Sequence, residues 1–154
     1  MPRLDPPYHV GMVVADLAAA RARLADLLGV VWGPVLHLDA VDLRDAAGAD
    51  LALPSTICYS VGHPSLELIE EVPGTVWVRN EHSNLHHIGI WTEDFEGTSA
   101  DVGSAGCPLQ LCGREGDAAP RAFAYHRDDA LGIRVELVDA GMQDAMAFLF
   151  QPDS

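Results

Sequence analysis

The sequence predicts an α+β fold: two βαβββ modules forming a curved, cup-like mixed sheet, with the helices outside. Three observations predict it. The stretch His9-Val10-Gly11-Met12-Val13-Val14-Ala15-Asp16-Leu17 is echoed 78 residues later by His87-Ile88-Gly89-Ile90-Trp91-Thr92-Glu93-Asp94-Phe95. A second echo, Ser65-Leu66-Glu67-Leu68-Ile69 against Arg134-Val135-Glu136-Leu137-Val138, closes each copy. Between the echoes runs the same succession of strand, helix and strands, as expected of a duplicated unit that buries a shared core.

In the first copy, residues 8–14 alternate like a strand, and Asp16 caps an Ala/Leu/Arg-rich helix over 17–28 that Gly29 stops. An apolar run follows from Val30 to Leu38. The polar Asp/Ala/Gly stretch 39–53 reads as a loop, and strands follow at about 56–61 and 65–70. In the second copy His86–Trp91 is a strand, Asp94 caps a helix over about 95–105 ended by Gly106, and strands lie near 107–112, 121–126 and 133–138. Gly113 to Pro120 reads as a flexible loop. Met142 to Phe150 reads as a short amphipathic helix whose Met146, Leu149 and Phe150 pack on the domain or on a second subunit. The modules thus span about 8–70 and 86–139 within a single domain, 1–154, the size at which one core is well buried.

Composition excludes several chemistries. A net charge of −14 disfavours nucleic-acid and anionic-membrane partners, and no apolar stretch approaches the roughly 20 residues of a membrane helix. All nine basic residues are arginines. Without lysine there is no Schiff-base chemistry, no pyridoxal phosphate attachment and no P-loop. The N-terminus lacks the apolar core of a signal peptide, and three cysteines (Cys58, Cys107, Cys112) without CxxC spacing suit a reducing compartment, so the expected location is the cytoplasm. The cysteines read as small buried hydrophobes.

Strand alternation places the polar residues. Val10, Met12 and Val14 oppose His9, Gly11 and Val13; Ile88 and Ile90 oppose His87, Gly89 and Trp91; Leu66 and Leu68 oppose Glu67; Val135 and Leu137 oppose Glu136. With the aliphatic faces turned to the helices, His9, Glu67, His87 and Glu136 share the concave face. Two carboxylates gathered there repel each other and are costly to desolvate unless a cation neutralises them. One divalent metal, with Ni, Co, Mn, Fe and Zn all open, makes two imidazoles and two glutamates a neutral cluster. The glycine two residues after each histidine keeps space open beside it. His37, His63, His82 and His86 read as loop or surface residues.

The paired units, with His-x-Gly openings and Leu-Glu-Leu or Val-Glu-Leu closings, resemble the vicinal oxygen chelate superfamily over roughly 8–139. That superfamily includes glyoxalase I, methylmalonyl-CoA epimerase, extradiol dioxygenases, fosfomycin-resistance transferases and bleomycin-resistance proteins. The resemblance implies metal ligands at His9, Glu67, His87 and Glu136, and a homodimer. Their His, Glu, His, Glu order is similar to bacterial glyoxalase I, but the segment Glu71 to Asn84 lacks the text of the glutathione-dependent enzymes. The stretches Leu66–Glu70, Leu85–Gly89 and Phe123–Arg127 look like the epimerase branch. There glutamine usually replaces Glu67, and a further acidic residue lies on the third strand, where this chain has only Thr56 to Ser60.

An octahedral ion with four protein ligands keeps two open positions, enough for two vicinal oxygens of a substrate but none for dioxygen beside them. The leading expectation is a metal-dependent lyase or isomerase of a small carbonyl compound, working through an enediolate or enolate. Glu136 is the expected base, with Glu67 able to serve the opposite face. Trp91, Tyr125, His126 and Arg134 are the expected substrate-pocket residues. Two alternatives remain: a non-catalytic drug-binding protein, and a non-haem iron dioxygenase of the extradiol type. The acidic chain does not favour a polyanionic CoA ester.

Overall fold

The computed structural model describes residues 3–114 and 121–154. The first module comprises β1 (His9–Val14), α1 (Leu17–Leu28), β2 (Leu36–Asp45), β3 (Asp50–Tyr59) and β4 (Ser65–Glu70). The second comprises β5 (Leu85–Thr92), α2 (Phe95–Ser104), β6 (Leu109–Gly113), β7 (Arg121–Asp128) and β8 (Ile133–Asp139). Within each module the first strand runs parallel to the last, β1 with β4 and β5 with β8. The modules join through two antiparallel pairs, β1 with β5 and β2 with β6, so the curved sheet closes into a barrel of order β1-β4-β3-β2-β6-β7-β8-β5.

Both helices begin and end as their sequences dictate. Asp16 accepts a hydrogen bond from the Ala19 amide and Gly29, at φ 67°, closes α1; Asp94 accepts from the Gly97 amide to open α2. Beneath α1 the outward sides of β1 and β4 bury Val14 and Leu68 with Leu17, Trp32 and Cys58. Beneath α2 the outward sides of β5 and β8 bury Ile90 and Leu137 with Phe95, Val102 and Cys112. A third cluster, including Val13, Leu43, Ile69, Trp77, Leu111 and Tyr125, fills the barrel interior. Among the described residues no helix is long and apolar enough to cross a membrane.

Two segments correct the sequence reading. Residues 39–53 are not a loop but most of the β2–β3 hairpin, turned at 46–49, where Asp45 accepts from the amides of Ala47 and Ala49. A bulge between Leu38 and Val41 breaks the alternation, so that Leu36, Leu38, Val41 and Leu43 all turn inward despite the odd step between them. The C-terminal segment is not one helix but a 3₁₀ turn (Ala140–Met142), the short α3 (Gln143–Met146) and a second 3₁₀ turn (Ala147–Phe150). It packs on its own chain: Leu149 is buried, Met146 faces the barrel cavity, and the Phe150 ring lies 4.7 Å from that of Tyr59. In the loop expected over Gly113–Pro120, Gly113 ends β6 and residues 115–120 lie outside the described residues.

Candidate metal centre

The centre is built around two glycines. Gly11 of β1 pairs with Glu67 of β4 on one side and His87 of β5 on the other; Gly89 of β5 pairs with Glu136 of β8 and with His9 of β1. A Cβ at Gly11 would stand 2.0 Å from His87 Cε1, and one at Gly89 would stand 1.9 Å from His9 Cε1. Each imidazole therefore lies over the glycine of the other module. The glycine of each His-x-Gly makes room for the opposite histidine, not for its own.

This crossing brings four donors together. The two Nε2 atoms of His9 and His87 are 2.7 Å apart. Glu67 Oε2 lies 3.3 Å from His9 Nε2 and 2.9 Å from His87 Nε2, and Glu136 Oε2 lies 3.0 and 3.2 Å from the same atoms. All four residues are buried, and all four donors lie within 4.8 Å of one another. Adjacent ligands on an octahedral divalent ion with bonds of about 2.1 Å stand about 3.0 Å apart, which the five short separations match. Both Oε2 atoms are buried and, among the described residues, face the two imidazole nitrogens without a well-directed hydrogen bond, a costly arrangement that a shared cation relieves. The His₂Glu₂ cluster is compatible with one divalent metal ion, all four ligands coming from one chain.

The surroundings hold the four ligands unequally, fixing Glu67 and His87 but not Glu136 and His9. Tyr59 donates its hydroxyl to Glu67 Oε1 at 2.6 Å, pinning that carboxylate. Among the described residues, Glu136 receives no such donor. His87 is set by His86, which the sequence reading left on the surface. His86 is buried, its Nε2 lies 2.9 Å from the Val76 carbonyl, and its Nδ1 lies 2.9 Å from His87 Nδ1. A carbonyl only accepts, so His86 Nε2 carries the hydrogen; burial, then the charges of His87 and Arg134, push this imidazole down to about 3, so it is neutral and its Nδ1 is bare. His87 must therefore donate from Nδ1, which leaves its Nε2 to face the other donors. Adjacent strand residues normally point apart. A bulge in β5, where Gly11 pairs with His87 but Met12 with Leu85, turns His86 to the inner side. His9 has no equivalent relay: its Nδ1 is without a partner among the described residues.

This relay predicts that His86→Leu weakens divalent metal binding about 10–100-fold, and that His86→Gln, which keeps an acceptor, recovers part of the loss. Competition with a chromophoric chelator measures both. Equal affinity in wild type and His86→Leu would remove the relay from the account.

Protonation of the metal-free cluster follows from the same geometry. Burial opposes charging of His87, but Glu136 and Glu67 outweigh it and raise the imidazole to about 10. Burial likewise opposes ionisation of Glu67 and Glu136, yet the two imidazoles hold Glu67 well below, and Glu136 below, the usual 4.5. A raised histidine stabilises the fold fully below its ordinary 6.5 and loses that contribution as pH climbs towards about 10; depressed carboxylates contribute above 4.5 and lose it as pH falls. The metal-free protein is therefore expected to melt highest between about pH 4.5 and 6.5 in thermal unfolding with a chelator present. Metal must displace the shared proton, so apparent affinity should rise from about pH 6 to 8, with proton release detectable by calorimetry in two buffers.

Glu67 and Glu136 open onto a cavity of about 240 Å³ inside the barrel. Its wall includes Tyr8, Tyr59 and Tyr125, with Met142, Met146 and Leu149 from the C-terminal segment. Of the expected pocket residues, Tyr125 lines this cavity, its hydroxyl accepting from Trp77 Nε1. The others do not. His126, one residue on, faces outward, where its ring nitrogens meet Ser99 Oγ and the Cys107 carbonyl. Strand alternation allows only one of the two to point inward. Arg134 lies on the Glu136 face but nearer the far end of β8, its Nε donating to Gln110 Oε1. Trp91 stacks on Tyr8 at 4.0 Å and lines a separate cleft with His63 and Phe150.

Comparison with known proteins agrees with this architecture. The family model described as the Glyoxalase/Bleomycin resistance protein/Dioxygenase superfamily matches residues 8–125. No curated protein sequence matches the chain. Among solved structures, a methylmalonyl-CoA epimerase from Mycobacterium tuberculosis is similar at 19% identity and a TM-score of 0.59, over 88% of each chain. A Streptomyces coelicolor methylmalonyl-CoA epimerase variant in complex with 2-nitronate-propionyl-CoA is 19% identical, TM-score 0.58, over 89% of this chain and 95% of that one. A hypothetical protein from Bacillus halodurans C-125 is 19% identical, TM-score 0.54, over 89% and 93%. At such identities the likeness to these structures is one of fold. The family match spans well over half of the residues and both histidine openings, and the chain belongs to the glyoxalase/bleomycin resistance protein/dioxygenase superfamily.

Proposed function

We propose that the protein is a metal-dependent lyase or isomerase that moves a proton on the carbon beside a carbonyl, through an enediolate or enolate. The observation that carries this reading is the convergence of two imidazoles with two carboxylates that themselves stand in the wall of a cavity of small-molecule size. His9, Glu67, His87 and Glu136 would hold a divalent ion, which when bound would polarise the carbonyl and offset developing negative charge. Glu136, which no hydroxyl among the described residues restrains, takes the proton; Glu67, tied to Tyr59, keeps its place in the cluster and serves the opposite face only if that bond breaks. The Tyr8 hydroxyl, in the same wall and without a partner among the described residues, is available to a substrate oxygen. Four converging donors favour proton transfer over a two-His, one-carboxylate oxygenase centre.

The methylmalonyl-CoA epimerases of similar fold also support carbon-acid chemistry. We further assign the protein to the cytoplasm and to a homodimer. The test is exchange of a substrate α-proton with deuterated water, with and without chelator, across 2-oxoaldehydes, 2-hydroxy ketones and acyl thioesters. Metal-dependent exchange in one class is expected. Silence across all three with metal bound would overturn the reading and favour a non-catalytic binding protein.

A further inference from the structure

The proton-transfer reading leaves the body of the substrate open, and the cavity wall narrows it. Among the described residues, no side chain lining the cavity bears a charge apart from Glu67 and Glu136. Rings and thioethers dominate one part of the wall, with Trp77, Phe123, Tyr125, Met142 and Met146, and aliphatic side chains of β2 and β3 form another. Ring edges and methionine sulfur are favourable neighbours for an aromatic face. Size adds a bound: an apolar cavity of about 150 Å³ holds one benzene. By that scale, 240 Å³ accommodates roughly ten non-hydrogen atoms, enough for one substituted ring.

Charge argues in the same direction. A CoA thioester carries a phosphorylated nucleotide that needs guanidinium or ammonium partners. The chain has no lysine. Among the described side chains, Arg21, Arg44, Arg79, Arg114 and Arg127 pair with carboxylates, Arg134 is bound to Gln110, and Arg3 and Arg23 are exposed at the surface. None of these arginines lines the cavity.

We infer that the substrate is an uncharged carbonyl compound bearing one aromatic ring, with the ring held inside the barrel and its oxygens towards Glu67, Glu136 and Tyr8. The chemistry assigned to the oxygens rests on the proton-transfer reading; the ring rests on the cavity alone. The probes are 2-hydroxyacetophenone, the ring-free hydroxyacetone and propionyl-CoA, each titrated into metal-free and metal-loaded protein and each assayed for exchange in deuterated water. The ring compound should bind about 10–100-fold more tightly than hydroxyacetone in both forms, the gain expected from burying one ring. Val41→Phe, which fills the cavity from β2, should abolish that preference and leave metal affinity unchanged; Leu36→Trp provides a second filling variant should the first not fold. Equal binding of the two ketones, or tighter binding of propionyl-CoA, overturns the inference. Ring binding without exchange under any condition would instead sink the proton-transfer reading and leave the ring assignment standing.

Discussion

Replacing Glu136 by glutamine is expected to slow α-proton exchange about 10²–10⁴-fold, the usual contribution of a positioned general base, while a divalent ion remains bound. Glutamine keeps an oxygen that can face the two imidazoles 3.0 and 3.2 Å away, so the donor count survives. What it loses is the anion that accepts a proton. The matching change Glu67→Gln should cost less in exchange, because that carboxylate is already committed to Tyr59 through a 2.6 Å hydrogen bond. Exchange rates read by NMR, with metal content measured on the same samples, separate the two outcomes. If Glu136→Gln retains its ion and exchanges within tenfold of wild type, the base lies elsewhere.

The second large effect is expected at Gly89 and Gly11, which bear no chemistry of their own. An alanine methyl at Gly89 would overlap the His9 ring at 1.9 Å, and one at Gly11 would overlap His87 at 2.0 Å. Neither ring has room to yield, since both histidines are fully buried. Overpacking of this kind costs about 1–3 kcal/mol in stability. It also pushes one ligand out of the cluster, so metal affinity should fall by more than the roughly 10–100-fold of an outer-shell change such as His86→Leu. Thermal unfolding with and without metal reads both parts. The metal-dependent rise in melting temperature should vanish in Gly89→Ala and Gly11→Ala, and a normal rise would show that the crossing of the two modules is not what places the imidazoles.

The four donors were legible before any coordinates because duplication is written in the residues: a histidine opens and a glutamate closes each copy, and period-two alternation puts all four on one face. Helix ends were legible for a local reason, since Asp16, Gly29 and Asp94 act on backbone groups within a few residues of themselves. The failures share a different cause. The β2–β3 hairpin was disguised by a bulge after Leu38 that breaks the alternation, and His86 was disguised by a bulge in β5 that turns it beside His87. A bulge is a property of two paired strands, and one strand's sequence does not record it.

By itself, then, the sequence determined the duplicated module, the capped helices, the donor set and the exclusion of lysine chemistry, all of which depend on residue identity and short-range spacing. Only the tertiary structure decided that each imidazole rests over the glycine of the opposite module, that β2 and β6 close the sheet into a barrel, and that His126, Arg134 and Trp91 stand away from the cavity. It also decided the character of that cavity, whose wall draws on several strands and the C-terminal segment. The reason is physical: strand pairing and side-chain packing join residues far apart in the chain, and their register is set by the whole sheet.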